Sequence, residues 1–194
     1  MSCDYYNHNA QQFFTETFGL DMSNIYSRFL EKLSLDSRIL DMGCGSGRDA
    51  LYFHKKGYRV DAFDASLEMV KLASLATGLR IKHSTFQTYE AVHIFDGIWA
   101  CASLLHLPKI EHGTIITKYF KKLTSDGIFY MSFKYGTSDY DKNERHFSCH
   151  DEASISNLLS ETLVNYETDI WVTQDARKER KSENWLNVLL TKNG

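Results

Sequence analysis

The sequence predicts an α/β fold: a doubly wound, mostly parallel sheet with helices on both faces and a helical cap at its N-terminal end. Three observations carry this. A short apolar run, Ile39 to Met42, leads into the glycine-dense turn Gly43-Cys44-Gly45-Ser46-Gly47 and then into a helical pattern with Ala50, Leu51 and Phe53. An acid, Asp64, closes the next apolar run at about the 20-residue offset at which a βαβ unit sets a carboxylate against a ribose. Beyond it, apolar runs and helical patterns keep alternating, which in one sheet means parallel strands joined by right-handed crossovers.

The cap spans residues 1–35. Phe13, Phe14 and Phe18, then Ile25, Phe29, Leu30 and Leu33, recur near helical spacing and are expected to pack into the core. Asp21-Met22-Ser23 supplies a turn and an N-cap between the two sets. Strands are expected at Ile39 to Met42, Tyr58 to Phe63, Leu79 to His83, Gly97 to Ala102 and Gly127 to Phe133, with helices centred near Leu51, Val70 and Ile116. A polar, glycine-poor connection then runs to His150, followed by a helix around Ile155 to Leu159 and two β-like runs, Thr168 to Thr173 and Trp185 to Leu190. The charged segment between those runs, Gln174 to Asn184, holds no strong turn dipeptide, so a hairpin with a long mobile loop is expected there, a candidate lid or partner contact. No repeat, low-complexity segment or linker interrupts the chain. Residues 1–194 read as one domain, cap plus a core over 36–194.

Composition narrows the function classes. With 194 residues, 43% hydrophobic and 24% charged, the chain is an ordinary globular length and mixture, enough for one full core. A net charge of −3 offers no general attraction to nucleic acid, and the main cationic cluster, Arg177-Lys178-Glu179-Arg180-Lys181, is broken by an acid and reads as a solvated loop. Cys3, Cys44, Cys101 and Cys149 are scattered, so neither a metal site nor a disulfide framework is expected, and reduced thiols in a cytoplasm are the simplest reading. The first residues lack a basic segment followed by an apolar block, and no apolar run approaches membrane-spanning length, so no membrane partner is expected.

The turn presents backbone N–H groups at a helix start, which suits a nucleoside ligand. A dinucleotide fingerprint would need glycine where this chain has Arg48, which disfavours NAD. The spacing G-x-G-x-G behind an acid, Asp41, resembles motif I of the class I S-adenosylmethionine-dependent methyltransferases. Val60 to Ala73 looks like motif II and its helix, Phe95 to Pro108 like the motif IV strand and its exit, and Leu123 to Phe133 like the following helix end and strand. The likeness covers nearly the whole chain and implies a Rossmann-like, seven-stranded sheet whose last strand is antiparallel, with S-adenosylmethionine as cofactor. The stretches I-W-A-C-A-S-L-L-H-L-P, S-F-K-Y-G and W-L-N-V-L are similar to small bacterial tellurite-resistance-type or general small-molecule methyltransferases.

Carried over residue by residue, the resemblance implies roles. Asp41 would face the methionyl ammonium, and the backbone at Gly43, Cys44, Gly45 and Gly47 would line the sulfonium nucleoside. Arg48 would pair with the methionyl carboxylate through its fork, or else lie on the surface of the first helical turn. Asp64 would accept the ribose hydroxyls, or else cap a helix, although Ser66 is the better cap. Ala65, Ser66 and Met69, with Phe86 and Gln87, would surround the adenine. Here the chain departs from the commoner pattern, having Gln87-Thr88 where an aspartate often meets the adenine amino group, and Phe86 reads equally as core. Ala100, Ala102 and Leu105 would let the methionine tail lie against the backbone, and Tyr6 of the cap would rest against the cofactor.

Methyl transfer from a sulfonium is an in-line displacement that needs alignment and, for a protonated nucleophile, a base. His106 is the base candidate, with loop structure as its alternative, and Arg145 in Arg145-His146-Phe147 is a second candidate for the reacting centre. Cys44 and Cys101 sit where small apolar residues belong and are expected to do no chemistry. Ala100 to Leu105 lacks the Asp/Asn-Pro-Pro-aromatic signature of nucleic-acid amino-methyltransferases, and no Pro-Cys nucleophile occurs, which favours a small-molecule substrate. A regulatory module that binds S-adenosylmethionine without chemistry and a methyltransferase acting on a macromolecule stay open.

Overall fold

A computed structural model describes residues 2–177, 180 and 182–194; Lys178, Glu179 and Lys181 of the cationic cluster lie outside the described residues. The cap consists of α1 (Ser2–His8), α2 (Ala10–Thr17) and α3 (Ser23–Leu30). The first half of the core alternates β1 (Arg38–Met42), α4 (Arg48–Lys55), β2 (Arg59–Asp64), α5 (Leu67–Thr77) and β3 (Ile81–His83). The second half holds β4 (Phe95–Ala100), a single 3-10 turn at Leu104–His106, α6 (Lys109–Phe120) and β5 (Leu123–Tyr135). Then come β6 (Tyr140–Lys142), β7 (Arg145–Phe147), β8 (Cys149–His150), α7 (Glu152–Thr162), β9 (Tyr166–Gln174) and β10 (Asn184–Lys192).

The main sheet runs β3-β2-β1-β4-β5-β10-β9. Its first five strands are mutually parallel, and β10, the last in sequence, lies antiparallel between β5 and β9. This is the expected Rossmann-like arrangement, and chain order reverses beside β1, where neighbours β2 and β4 leave a crevice at their carboxyl ends.

Alternation along the central strands explains why both faces are covered. Leu40, Ile98, Phe129 and Met131 point to the side packed by Ile116 and Tyr119 of α6 and Ile155 of α7. Their neighbours Ile39, Trp99, Ile128 and Tyr130 point to the other side, against Tyr26 and Phe29 of α3 and Phe53 of α4.

Three expectations need correction. The sheet has eight strands rather than seven, because the polar connection before His150 carries β8, which pairs parallel with the end of β5, while β6 and β7 in the same connection pair into a separate two-stranded ribbon. In the cap, Phe29 is fully buried, but Phe13, Phe14 and Phe18 are only half-buried, because α2 covers a cavity rather than the sheet. Met22 occupies the N-cap position of α3 without a side-chain bond, while Asp21 Oδ1 accepts the Ser23 N–H at 2.9 Å.

One polar pair is sealed inside this frame. His112 Nε2 lies 3.1 Å from the Leu104 carbonyl and 3.2 Å from that of Leu107, and its Nδ1 lies 2.9 Å from His150 Nε2. A carbonyl only accepts, so His112 carries its hydrogen on Nε2 and takes one from His150 on Nδ1. Burial pushes both imidazoles down to about 4. The pair ties α6 and β8 to the 3-10 turn that carries His106.

Candidate functional site

The turn after β1 is built on left-handed backbone. Gly43 has φ +69°, and a Cβ there would stand 2.8 Å from the Ser103 Cβ and 3.3 Å from Phe86 Cζ. Gly47, at φ +78°, faces elsewhere: its Cβ would meet Thr77 and Ala73 at 2.9 and 3.0 Å, so this glycine lets α4 pack on α5. Asp64, ending β2, clamps the turn from the far side: Oδ2 accepts the Gly45 N–H and Oδ1 the Ser66 N–H, each at 2.8 Å. Burial raises the Asp64 carboxyl, and those N–H groups oppose the rise. Ser66 is the cap of α5, its hydroxyl accepting the Met69 N–H at 3.2 Å and donating to Asn7 Oδ1 at 2.7 Å.

Beside the turn is a cavity of about 470 Å³. The sequence-predicted residues Tyr6, Gly43, Cys44, Gly45, Arg48 and Asp64 border it. So do Ala65, Ser66, Met69, Phe86, Ala102, Leu105, His106 and Arg145. Gly47, Ala100, Asp41 and Gln87 do not, for different reasons. Gly47 is a packing glycine and Ala100 is wholly buried in β4. Gln87 is exposed and donates to Glu111 Oε2 at 2.6 Å, so the expected amide contact is turned outward, and Ser84 and Thr85 border the cavity instead.

Asp41 lies just beneath, 2% exposed, with Oδ2 lacking any hydrogen-bond partner. Burial and the nearby Asp49 carboxylate push its carboxyl well above the usual range. Arg48 does not offer a free fork: Nε and Nη2 hold Asp49 Oδ1 and Oδ2 at 2.6 and 2.9 Å. Burial alone would raise Asp49, but Arg48, with the Tyr26 hydroxyl and the Trp99 indole at 2.8 Å, brings its carboxyl below the ordinary value. Neither is Arg48 a surface residue, since its side chain is only 16% exposed.

Across the cavity, Tyr6 Oη and His106 Nε2 are 2.7 Å apart, and His106 Nδ1 is 2.7 Å from the His146 carbonyl. Burial pushes His106 down to about 4 and Tyr6 up to about 12. Burial also raises Cys44 well above a normal thiol and Cys101 to about 12.

The ends of the Gln174 to Asn184 connection are pinned rather than loose. Buried Asp175 accepts from Arg177 Nη2 at 2.6 Å and from the Trp185 indole at 3.0 Å. Lys134 Nζ lies 3.5 Å from Asp175, pairs with Glu183, and stands 3.9 Å over the Trp185 ring. Lys134, Trp185 and Asn187 border the cavity without having been given roles from sequence. The signal was present in Lys134 and Asn187, polar residues inside otherwise apolar strands. Ser103, buried with an unpartnered hydroxyl, gave none. Among the described residues, no group of His, Cys, Asp and Glu is placed to hold a metal ion, and no helix is long and apolar enough to cross a membrane.

A family defined by a methyltransferase domain matches residues 6–162, and the chain belongs to that family. An uncharacterized methyltransferase of Staphylococcus carnosus (strain TM300) is 29% identical over 104 residues, which are 53% of this chain and 50% of that protein. The chain thus spans about half the length of the curated relative it matches. Among solved structures, the Burkholderia thailandensis 1,6-didemethyltoxoflavin-N1-methyltransferase, with bound 1,6-didemethyltoxoflavin and S-adenosylhomocysteine, superposes with a TM-score of 0.78 at 22% identity, covering 100% of this chain and 86% of that one. Magnesium protoporphyrin IX methyltransferase from Synechocystis PCC 6803, with bound S-adenosylhomocysteine, gives 0.77 at 14% identity, over 99% and 98% of the chains. At these identities the likeness is one of fold.

Proposed function

We propose that the protein transfers a methyl group from S-adenosylmethionine to a small-molecule acceptor. The observation that carries this is that the Gly43 turn, Asp64 and the Tyr6–His106 pair border a single cavity. The residues fit the donor. Asp41 Oδ2, buried and unpartnered just beneath the cavity, is an atom that an ammonium group would satisfy, and such a cation would favour the ionised form that burial and Asp49 disfavour. Asp64 spends one lone pair of each oxygen on backbone N–H groups and keeps the others for ribose hydroxyls. Met69 and Phe86 supply apolar surface for the adenine. Bound there, the donor supplies an electrophilic methyl group on a sulfonium.

The chain's own residues orient the acceptor and take its proton. The His146 carbonyl only accepts, so His106 holds its hydrogen on Nδ1 and presents a lone pair at Nε2 to the Tyr6 hydroxyl. Tyr6 thus donates to His106, and its oxygen accepts, from Arg145 beside it and from a group in the cavity. A proton leaving the acceptor O–H, N–H or S–H passes to Tyr6 Oη as the tyrosine hydrogen moves to His106 Nε2. Cys44 and Cys101 stay protonated and take no part.

A cavity of about 470 Å³ walled by Tyr6, Phe13 and Phe147 supports a small acceptor over a macromolecule. The tellurite-resistance-type wording of the sequence points the same way. Four free cysteines suit a reducing compartment such as the cytoplasm. Calorimetric titration tests the donor: S-adenosylhomocysteine is expected to bind in the micromolar range, about −8 kcal/mol, with no competition from NAD. Comparable NAD affinity overturns the donor assignment. Turnover with a nucleic-acid or protein acceptor, and none on small thiols, amines, acids or tellurite, overturns the acceptor class.

A further inference from the structure

Among the described residues, the most buried cations that border the cavity are Lys134 at 6% and Arg145 at 8% exposure. Their situations differ. Lys134 is matched by Glu183 and Asp175. Arg145 makes no ion pair among the described residues, and its Nε is buried with no hydrogen-bond partner.

The surroundings of Arg145 show what it is built to meet. It sits on β7, in the ribbon outside the main sheet, opposite Lys142 in register. Its guanidinium carbon lies 4.1 Å over the Tyr5 ring, 5.2 Å from that of Phe147 and 5.9 Å from that of Tyr6. Aromatic rings satisfy the faces of a guanidinium by cation–π attraction, whereas its N–H donors lie in its plane and are served only by acceptors at its edge. Among these rings the Tyr6 hydroxyl is a hydrogen-bonding group beside the guanidinium, but the buried Nε remains unserved; an acceptor there relieves a costly orphaned donor, and a carboxylate is the group whose two oxygens match an Nε–Nη edge.

We propose that Arg145 anchors a carboxylate carried by the methyl acceptor, so that the substrate is a small, flat carboxylic acid bearing a separate O–H, N–H or S–H group. This rests on the methyl-transfer reading above. The closeness of Arg145 to Tyr6 sets the acid within a ring's breadth of the accepting atom, whose proton passes to Tyr6. The aromatic walls formed by Tyr5, Tyr6 and Phe147 suit an aryl acid. Methyl transfer leaves the anchored carboxylate unchanged.

The test compares acids with esters of the same shape. Salicylate, thiosalicylate and anthranilate, their methyl esters, and tellurite as an inorganic oxyanion are titrated into the protein saturated with S-adenosylhomocysteine. At least one acid is expected to bind about tenfold or more tightly than its ester. In Arg145→Gln that preference is lost, while S-adenosylhomocysteine affinity is kept. Parity of acids and esters, no binding by any acid, or binding of tellurite alone overturns the proposal. So does a fall in S-adenosylhomocysteine affinity in Arg145→Gln, which would place the guanidinium on the methionyl carboxylate of the donor. If Arg145→Gln does not fold, the acid-to-ester comparison in the unmodified protein decides alone. Failure of the unmodified protein to bind S-adenosylhomocysteine is a different result, and it removes the donor assignment along with the anchor.

Discussion

Tyr6 and His106, 100 residues apart in sequence, meet through a 2.7 Å hydrogen bond between the phenol and Nε2. The bond makes the cap helix α1 part of the site. The His146 carbonyl 2.7 Å from Nδ1 sets the imidazole tautomer, so the phenol is the donor in the pair.

If this pair removes the acceptor proton, Tyr6→Phe and His106→Ala should each lower turnover about 10²- to 10⁴-fold. The double variant should lose little more, because the two act as one relay. Burial holds His106 at about 4, so the base is unprotonated throughout the neutral range and activity is lost only as pH falls through about 4. A profile of kcat/KM against pH with its acid limb near 6.5 would count against the relay.

Asp64 both clamps the Gly45 turn and is assigned the ribose. Asp64→Ala should weaken S-adenosylhomocysteine binding by about 1.5 to 3 kcal/mol. Calorimetry alongside circular dichroism separates this from unfolding. Asp64→Asn, which keeps one acceptor oxygen, should lose less.

The Arg48–Asp49 pair is buried under Tyr26 and Trp99. Removing the cation in Arg48→Leu leaves a carboxylate without its partner and should cost about 3 to 5 kcal/mol of stability, read as a lower urea midpoint. A change below about 1 kcal/mol would show that Asp49 is satisfied by Tyr26 and Trp99 alone.

The buried pair His112–His150 predicts a pH dependence of folding. Each imidazole is pushed from 6.5 down to about 4 in the folded protein, and His106 shifts the same way. The raised Asp41 and Asp64 carboxyls act in the opposite sense, but between about 4 and 6.5 these imidazoles bind more protons in the unfolded chain, so their contribution to stability rises with pH across that window. It is complete above 6.5 and is lost as pH falls towards 4. The change in urea midpoint from pH 5 to pH 7 should therefore be less positive in His112→Gln than in the unmodified protein.

Much of the site was legible because it is local. The glycine turn, the acid ending β2 and the Ser66 cap follow from left-handed backbone, strand termination and helix capping, each decided within a few residues. The parallel character of the sheet followed from alternating periodicities and the handedness of crossovers, and its antiparallel last strand from the resemblance to class I methyltransferases. Gln87 illustrates the limit. Its position in the chain is the expected one, but Glu111 on α6 draws its amide outward, and nothing near Gln87 in sequence announces that partner.

The sequence by itself determined the strand-turn-helix frame, the parallel strands with a hairpin-like tail, and which carboxylates stand at the strand ends. Only the tertiary structure decided which charges are already paired. Arg48 is taken by its neighbour Asp49, Lys134 is taken by Glu183 and Asp175 from the hairpin, and Arg145 is left buried among aromatic rings with its Nε unpartnered. The reason is physical: backbone conformation and apolar periodicity are set by short-range sterics and side-chain spacing. The state of a buried ion depends on whatever the folded chain brings within a few ångströms, however distant in sequence.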